Sequence, residues 1–108
     1  METLNFRFEN GSRPIAPPPQ LVGVVSSGNL EILIEPAALG GACEVEVKTA
    51  ATGFGATWGA VIADFHARWL LADTRISIND MGATPAVVSL RLDQAAESVT
   101  GNSAGAGT

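Results

Sequence analysis

Leu4, Phe6 and Phe8 alternate with Asn5, Arg7 and Glu9, the period-two pattern of a half-buried strand, and Asn10-Gly11-Ser12 ends it. The same period returns where Cys43, Val45 and Val47 alternate with Glu44, Glu46 and Lys48. It returns again over residues 75–80, with Ile76 and Ile78 facing inward. Residues 21–25 and 30–35 are two apolar runs joined by small polar residues, which predicts a hairpin. In the second run Leu30, Ile32 and Ile34 share a face opposite Glu31 and Glu35, and Leu33 breaks the alternation, implying a partly covered outer face. Between these runs the period changes. Phe54, Trp58, Val61, Ile62, Phe65 and Trp69 recur every three or four residues, one stripe of an amphipathic helix. Asp64, His66 and Arg68 fall on its expected solvent side. Gly59 costs such a helix about 1 kcal/mol against alanine, so packing is expected to hold it. Thr84-Pro85 reads as a helix start, threonine at the cap and proline in the first turn, with Val88, Leu92, Ala95, Ala96 and Val99 as its stripe. The β-branched residues of 87–92 also suit a strand, but the cap and the polar stretch 93–97 favour helix.

Prolines 14, 17, 18 and 19 mark residues 10–20 as an extended connector, neither strand nor helix, inside a single domain spanning 1–99. Residues 100–108, rich in glycine, alanine and serine, are expected to form a disordered tail. The predicted class is α+β. It is a mostly antiparallel sheet of four to five strands with two helices packed on one face.

Composition narrows the function classes. With 108 residues the chain can bury a real core without metal or disulfide staples. Six basic against eleven acidic residues leave a formal charge of −5, which disfavours nucleic acid and anionic membranes and suits basic patches on protein partners. No apolar run approaches the ~20 residues of a membrane span, and the first residues lack a signal-peptide pattern. A cytoplasmic protein is expected. The single cysteine, Cys43, forbids an internal disulfide.

Few residues offer chemistry of their own. His66 is the only histidine, with no acidic orienter on its helical face, so a catalytic pair has no support. One histidine and one cysteine do not make a metal site. Cys43 opens a strand on its buried side and reads as a small hydrophobe. Lys48, the only lysine, lacks the neighbours of a swinging-arm lysine. Glu44 with Glu46 and Glu31 with Glu35 repeat at strand period, as a solvated strand face does. Gly53-Phe54-Gly55 lacks the lysine of a phosphate loop. Ser26-Ser27-Gly28 remains. On pattern alone it is a hairpin turn. It also has what covalent attachment of a group needs, a hydroxyl beside a glycine that leaves the approach open.

Residues 21–31, Leu-Val-Gly-Val-Val-Ser-Ser-Gly-Asn-Leu-Glu, resemble the attachment segment of the acyl carrier (delta) subunits of biotin-independent malonate decarboxylase. Gly53-Phe54-Gly55-Ala56-Thr57-Trp58, Ile78-Asn79-Asp80-Met81-Gly82-Ala83-Thr84-Pro85 and Leu90-Arg91-Leu92-Asp93-Gln94-Ala95 resemble the same family in order and spacing. The family often shows Gly-Ser-Gly-Asp at the tip. Here Ser26 adds a competing hydroxyl, and Asn29 replaces an aspartate. Ordinary acyl carriers place their serine in Asp-Ser-Leu at the head of a helix in a four-helix bundle. That motif is absent, and a four-helix bundle is not expected.

The resemblance implies that Ser27, with Gly28 in support, carries 2′-(5″-phosphoribosyl)-3′-dephospho-coenzyme A through a phosphodiester. The arm's thiol would hold acetyl and malonyl groups, and the chain itself would be a non-catalytic subunit in malonate catabolism. The implied partners are an acyl transferase (alpha) subunit, decarboxylase (beta and gamma) subunits, a prosthetic-group transferase and a malonyl transferase. The carrier of citrate lyase, which uses the same arm, is the alternative within the class. An interaction domain without the arm is the alternative outside it.

Overall fold

The computed structural model describes residues 1–14, 23–27 and 29–100, with the backbone alone at 23–27. The alternating segments become strands: β1 (Glu2–Phe8), β2 (Arg13–Pro14), β3 (Gly23–Ser27), β4 (Leu30–Pro36) and β5 (Cys43–Thr49). Helix α1 (Gly55–Trp69) follows, then β6 (Leu71–Ala72), β7 (Thr74–Asp80) and α2 (Pro85–Thr100). Five strands make one sheet in the order β1-β5-β7-β4-β3, and β2 pairs with β6 apart from it. Only β5 with β7 is parallel within the large sheet, because α1 carries the chain back between them. The other ladders are antiparallel, as expected for this α+β pattern.

Register rows explain the core. Leu4, Val47, Ile78 and Ile32 align across four strands, as do Phe6, Val45, Ile76 and Ile34. Every one of those isoleucines and valines is buried, and α1 and α2 cover that face. The helices are clamped to each other. Arg68 Nη1 donates to Asp93 Oδ1 at 2.6 Å, and the indole N–H of Trp69 donates to the same oxygen at 2.9 Å. On the open face Glu44 lies between Arg7 and Arg75 and pairs with both. Such exposed pairs add little stability and mark a solvated surface. Leu33 on that side is half-buried, between Val24 and Ser77 in register.

Four expectations need correction. His66, placed on the solvent side, is 5 % exposed: it stacks on Phe8 at 4.4 Å, and its Nε2 lies 2.7 Å from Asn10 Oδ1. The edge strand and the loop after it reach over α1, so the covered face is wider than the apolar stripe. Burial lowers the His66 pKa. Phe54, counted in that stripe, sits just before α1 and is half-exposed. The connector is not strand-free. Arg13 and Pro14 pair in parallel with Leu71 and Ala72, and the donors are the amides of Ser12 and Arg13, both to Leu70 O at 2.8 Å. Pro14 therefore loses nothing by lacking an N–H. Finally, α2 extends to Thr100, whose hydroxyl donates to Ala96 O at 2.8 Å. The remaining connector positions, 15–20, and the tail, 101–108, lie outside the described residues.

The second helix starts as the sequence predicts, with Thr84 Oγ1 accepting from the Val87 amide at 3.4 Å. It settles residues 87–92 as helix. The first helix ends on Leu70 in the left-handed conformation, φ 48°, with its amide bonded to His66 O at 2.7 Å.

Two glycines separate packing from propensity. A Cβ at Gly11 would stand 2.2 Å from Leu71 O and 2.6 Å from Gly41 O, so the backbone must move. A Cβ at Gly59 would touch Phe6 at an ordinary 3.7 Å. Gly11→Ala is expected to lose about 1–3 kcal/mol in urea unfolding. Gly59→Ala is expected to gain roughly 0.5–1 kcal/mol in the same assay. A destabilised Gly59→Ala would mean that α1 lies closer to Phe6 than this packing shows.

Candidate functional site

Three of the four quoted segments meet at one end of the sheet. Thr49, Asp80, Leu30 and Ser27 form a single register row across β5, β7, β4 and β3. Residues 53–58 follow the first of these strands, and residues 81–85 follow the second. The fourth segment, 90–95, lies in α2, where Leu92 and Ala95 are buried and Asp93 holds Arg68 and Trp69.

The hairpin is shorter at its tip than the turn residues suggested. Ser26 and Ser27 are strand positions, paired with Glu31 and Leu30, and only residues 28 and 29 join β3 to β4. A Gly-Asn pair suits such a two-residue connection, so the ladder closes over both serines. Gly28 itself, with Leu21 and Val22, lies outside the described residues. Asn29 ties the tip to the body: its carbonyl accepts from the Met81 amide at 2.8 Å.

Asp80 organises this end. It is 3 % exposed, and its carboxylate is fully engaged. Oδ2 accepts from Thr49 Oγ1 at 2.8 Å, while Oδ1 accepts from the amides of Ala83 at 2.8 Å and Gly82 at 3.2 Å. Its own carbonyl accepts from the Ala50 amide at 2.9 Å. One side chain thus fixes both loops that flank the hairpin. Periodicity could not have found it, because aspartate at a strand end before Met-Gly reads as turn chemistry. Its quoted segment was the only signal.

Beside Asp80 lies a cavity of about 380 Å³, lined by the two loops and the starts of both helices. Phe54, Trp58, Val61, Ala83 and Val88 give it an apolar wall. Trp58 is 7 % exposed.

The other candidate groups sit elsewhere. Cys43 is six residues from Thr49 along β5, roughly 20 Å at strand rise. It is fully buried, and burial, with Glu44 adding, pushes its thiol up to about 12. His66 lies toward the far end of α1. Lys48 is half-exposed on the open sheet face, 4.0 Å from Glu46. Among the described residues no three His, Cys, Asp or Glu side chains gather as a metal site. No described helix is long and apolar enough to cross a membrane.

Comparison with known proteins identifies the family. Residues 18–99 match the family model described as malonate decarboxylase delta subunit (MdcD). A malonate decarboxylase acyl carrier protein of Stenotrophomonas maltophilia (strain R551-3) is 62% identical over 102 residues, covering 94% of this chain and 96% of its own. One from Burkholderia cepacia is 63% identical over 100 residues, covering 92% and 91%. A solved chain in the crystal structure of a Pseudomonas malonate decarboxylase hetero-tetramer in complex with malonate superposes with a TM-score of 0.74. It is 33% identical, covering 92% of this chain and 99% of that one.

Two measurements probe this geometry. Asp80→Asn replaces a carboxylate oxygen by an NH₂ that faces donors, and is expected to cost about 1–3 kcal/mol in urea unfolding. An unchanged midpoint would remove Asp80 as the organiser. For Cys43, a thiol held near 12 stays protonated at pH 8–9. Native protein is therefore expected to resist iodoacetamide there and to react fully in denaturant. Because the folded value is raised, stability from the neutral thiol is complete below pH 9 and is lost as pH rises above it. Rapid native alkylation at pH 8 would show that the thiol is accessible.

Proposed function

Because the chain belongs to the malonate decarboxylase delta subunit family, we propose that it is the acyl carrier subunit of a malonate-decarboxylating complex and that Ser27 is its tether. The observation that carries the choice of residue is the hairpin register. Ser27 is the last strand position before the turn and stands opposite Leu30, whereas Ser26 stands opposite Glu31. Cross-strand neighbours lie about 5 Å apart, so a phosphate ester at position 26 would form against a carboxylate. At position 27 it would form against an apolar residue.

The proposed group is 2′-(5″-phosphoribosyl)-3′-dephospho-coenzyme A, joined by a phosphodiester. When bound, it supplies a thiol that carries acetyl and malonyl as thioesters. In attachment, Ser27 Oγ attacks a phosphorus of an activated precursor. A P–O ester bond forms as a phosphoanhydride bond of the precursor breaks, the phosphate beyond that bond leaves, and the hydroxyl proton passes to a base of the transferase. The chain's own part is positional. The ladder holds Ser27 at the end of a sheet, the Asn29–Met81 bond fixes the tip, and Gly28 leaves the approach free of a side chain.

The arrangement fits the group on the same grounds. The tether ends a rigid ladder, and an apolar cavity lies along its register row. The catalytic work belongs to partners: an acyl transferase subunit and the decarboxylase subunits, with a dedicated transferase to load the arm and a malonyl transferase to prime it. A net charge of −5 suits docking on basic surfaces of these partners. The proposed compartment is the cytoplasm.

Intact mass of the chain co-expressed with the loading transferase is expected to rise by the mass of the arm. Ser27→Ala is expected to abolish that shift and Ser26→Ala to preserve it. Loss of loading only in Ser26→Ala would move the tether by one residue. An unshifted wild-type mass would favour an interaction domain without the arm.

A further inference from the structure

The cavity beside Asp80 is not used by attachment, yet its position is specific. Leu30 separates Ser27 from Asp80 in the register row, so those two backbones stand two strand spacings apart, about 10 Å. Asp80 lines the cavity. Its volume, about 380 Å³, lies within the ~300–1,000 Å³ range of small-molecule sites. The wall is apolar on Trp58, Val61, Ala83 and Val88, and Phe54 stands half-exposed at the margin.

A second observation concerns Trp58. Trp69 gives its indole N–H to Asp93. The Trp58 indole has no acceptor among the described residues, and its N–H is not one of the sealed, unpartnered groups, so it is open to solvent or to a ligand. Asp80, the charged residue of the lining, is committed to Thr49, Gly82 and Ala83. A ligand that brings a neutral carbonyl and a short apolar end matches this wall, and a charged one does not.

We infer that this cavity holds the acyl-thioester end of the arm tethered at the adjacent hairpin, shielding it from water between visits to partner subunits. This rests on the tether reading above. A pantetheine-type arm is longer than 10 Å, so it can fold back without strain. Tethering also sets an effective concentration in the millimolar range, so an intrinsic Kd about tenfold lower, roughly 0.1 mM, keeps about nine-tenths of the arms docked. Acetyl fits with room to spare. The malonyl group adds a carboxylate to the same end, which an apolar wall beside a buried aspartate disfavours. The cavity therefore discriminates, favouring the acetyl form over the malonyl form.

The test uses the full chain loaded by co-expression, its arm confirmed by intact mass and then acetylated. Thioester loss at mildly alkaline pH is followed by mass against the same sample in urea and against acetyl-coenzyme A. A docked fraction of about 0.9 slows hydrolysis about tenfold. Ala83→Leu, which fills the cavity, is expected to restore the free rate while circular dichroism and loading stay unchanged. Independently, the Trp58 indole resonance of ¹⁵N-labelled protein is expected to shift on acetylation, more than on malonylation, and the Trp69 resonance to stay in place. Equal rates for native and free thioester, or protection that survives Ala83→Leu, would overturn the inference. So would an unmoved Trp58 resonance, which decides the matter if Ala83→Leu does not fold. A chain that never gains the arm fails the tether reading instead, and intact mass separates the two failures.

Discussion

The interaction on which this end of the molecule depends is the buried carboxylate of Asp80. A charge taken from water is tolerated only where hydrogen bonds replace its hydration, and Asp80 receives three. Those donors come from two places, the end of β5 and the turn before α2. The carboxylate therefore joins segments that are about thirty residues apart in sequence and fixes where both helices begin. The hairpin inherits this order through the Met81 amide, which binds Asn29 O one residue beyond the aspartate. Remove the carboxylate and three amide or hydroxyl groups, not one, need new partners. That is why a single polar side chain governs the geometry of a mostly apolar domain.

Most of the fold was legible because two periods rarely coincide. Strands at 43–47 and 75–80 kept strict alternation, and the buried apolar residues of α1, Trp58, Ile62, Phe65 and Trp69, kept helical spacing. Illegible features were those set by distant chain. His66 looks solvent-facing by spacing, and Phe8 and Asn10, distant in sequence, cover it. Gly11 reads as turn punctuation, whereas its real constraint is the carbonyls of Leu71 and Gly41 against its α-carbon. Arg13 and Pro14 pair only because Leu70, in a left-handed conformation, offers its carbonyl to two amides. No local pattern encodes such meetings.

The candidate site was legible in a different way. Periodicity placed the hairpin but put both serines in the turn, since serine is a turn residue. The ladder runs to Ser27, and that changes the chemical comparison between the two hydroxyls. Adjacent strand residues stand opposite different neighbours, so the choice between them becomes one of charge: Glu31 against Leu30. The resemblance to a carrier family pointed to the segment. The register supplied a physical reason to prefer one serine within it.

A carrier has two opposed requirements. Its arm must swing between separate catalytic sites, while its base must be found by several partners in one orientation. A sheet end meets the second requirement, because a ladder position closed by a two-residue turn has little backbone freedom left to lose on docking. A flexible arm meets the first but exposes a thioester to water on every transit. Catalytic residues on the carrier would not solve this, and a nucleophilic thiol would worsen it by accepting the acyl group. Cys43 is accordingly harmless, fully buried and held protonated some 20 Å along β5. What would help is a nearby apolar recess, as proposed for the cavity beside Asp80, that binds the acyl end weakly and releases it whenever a partner site binds it better. The same buried aspartate that orders the turn beside the hairpin also lines the recess. On the proposed reading, order at the tether and protection of the cargo would both follow from one hydrogen-bonded group.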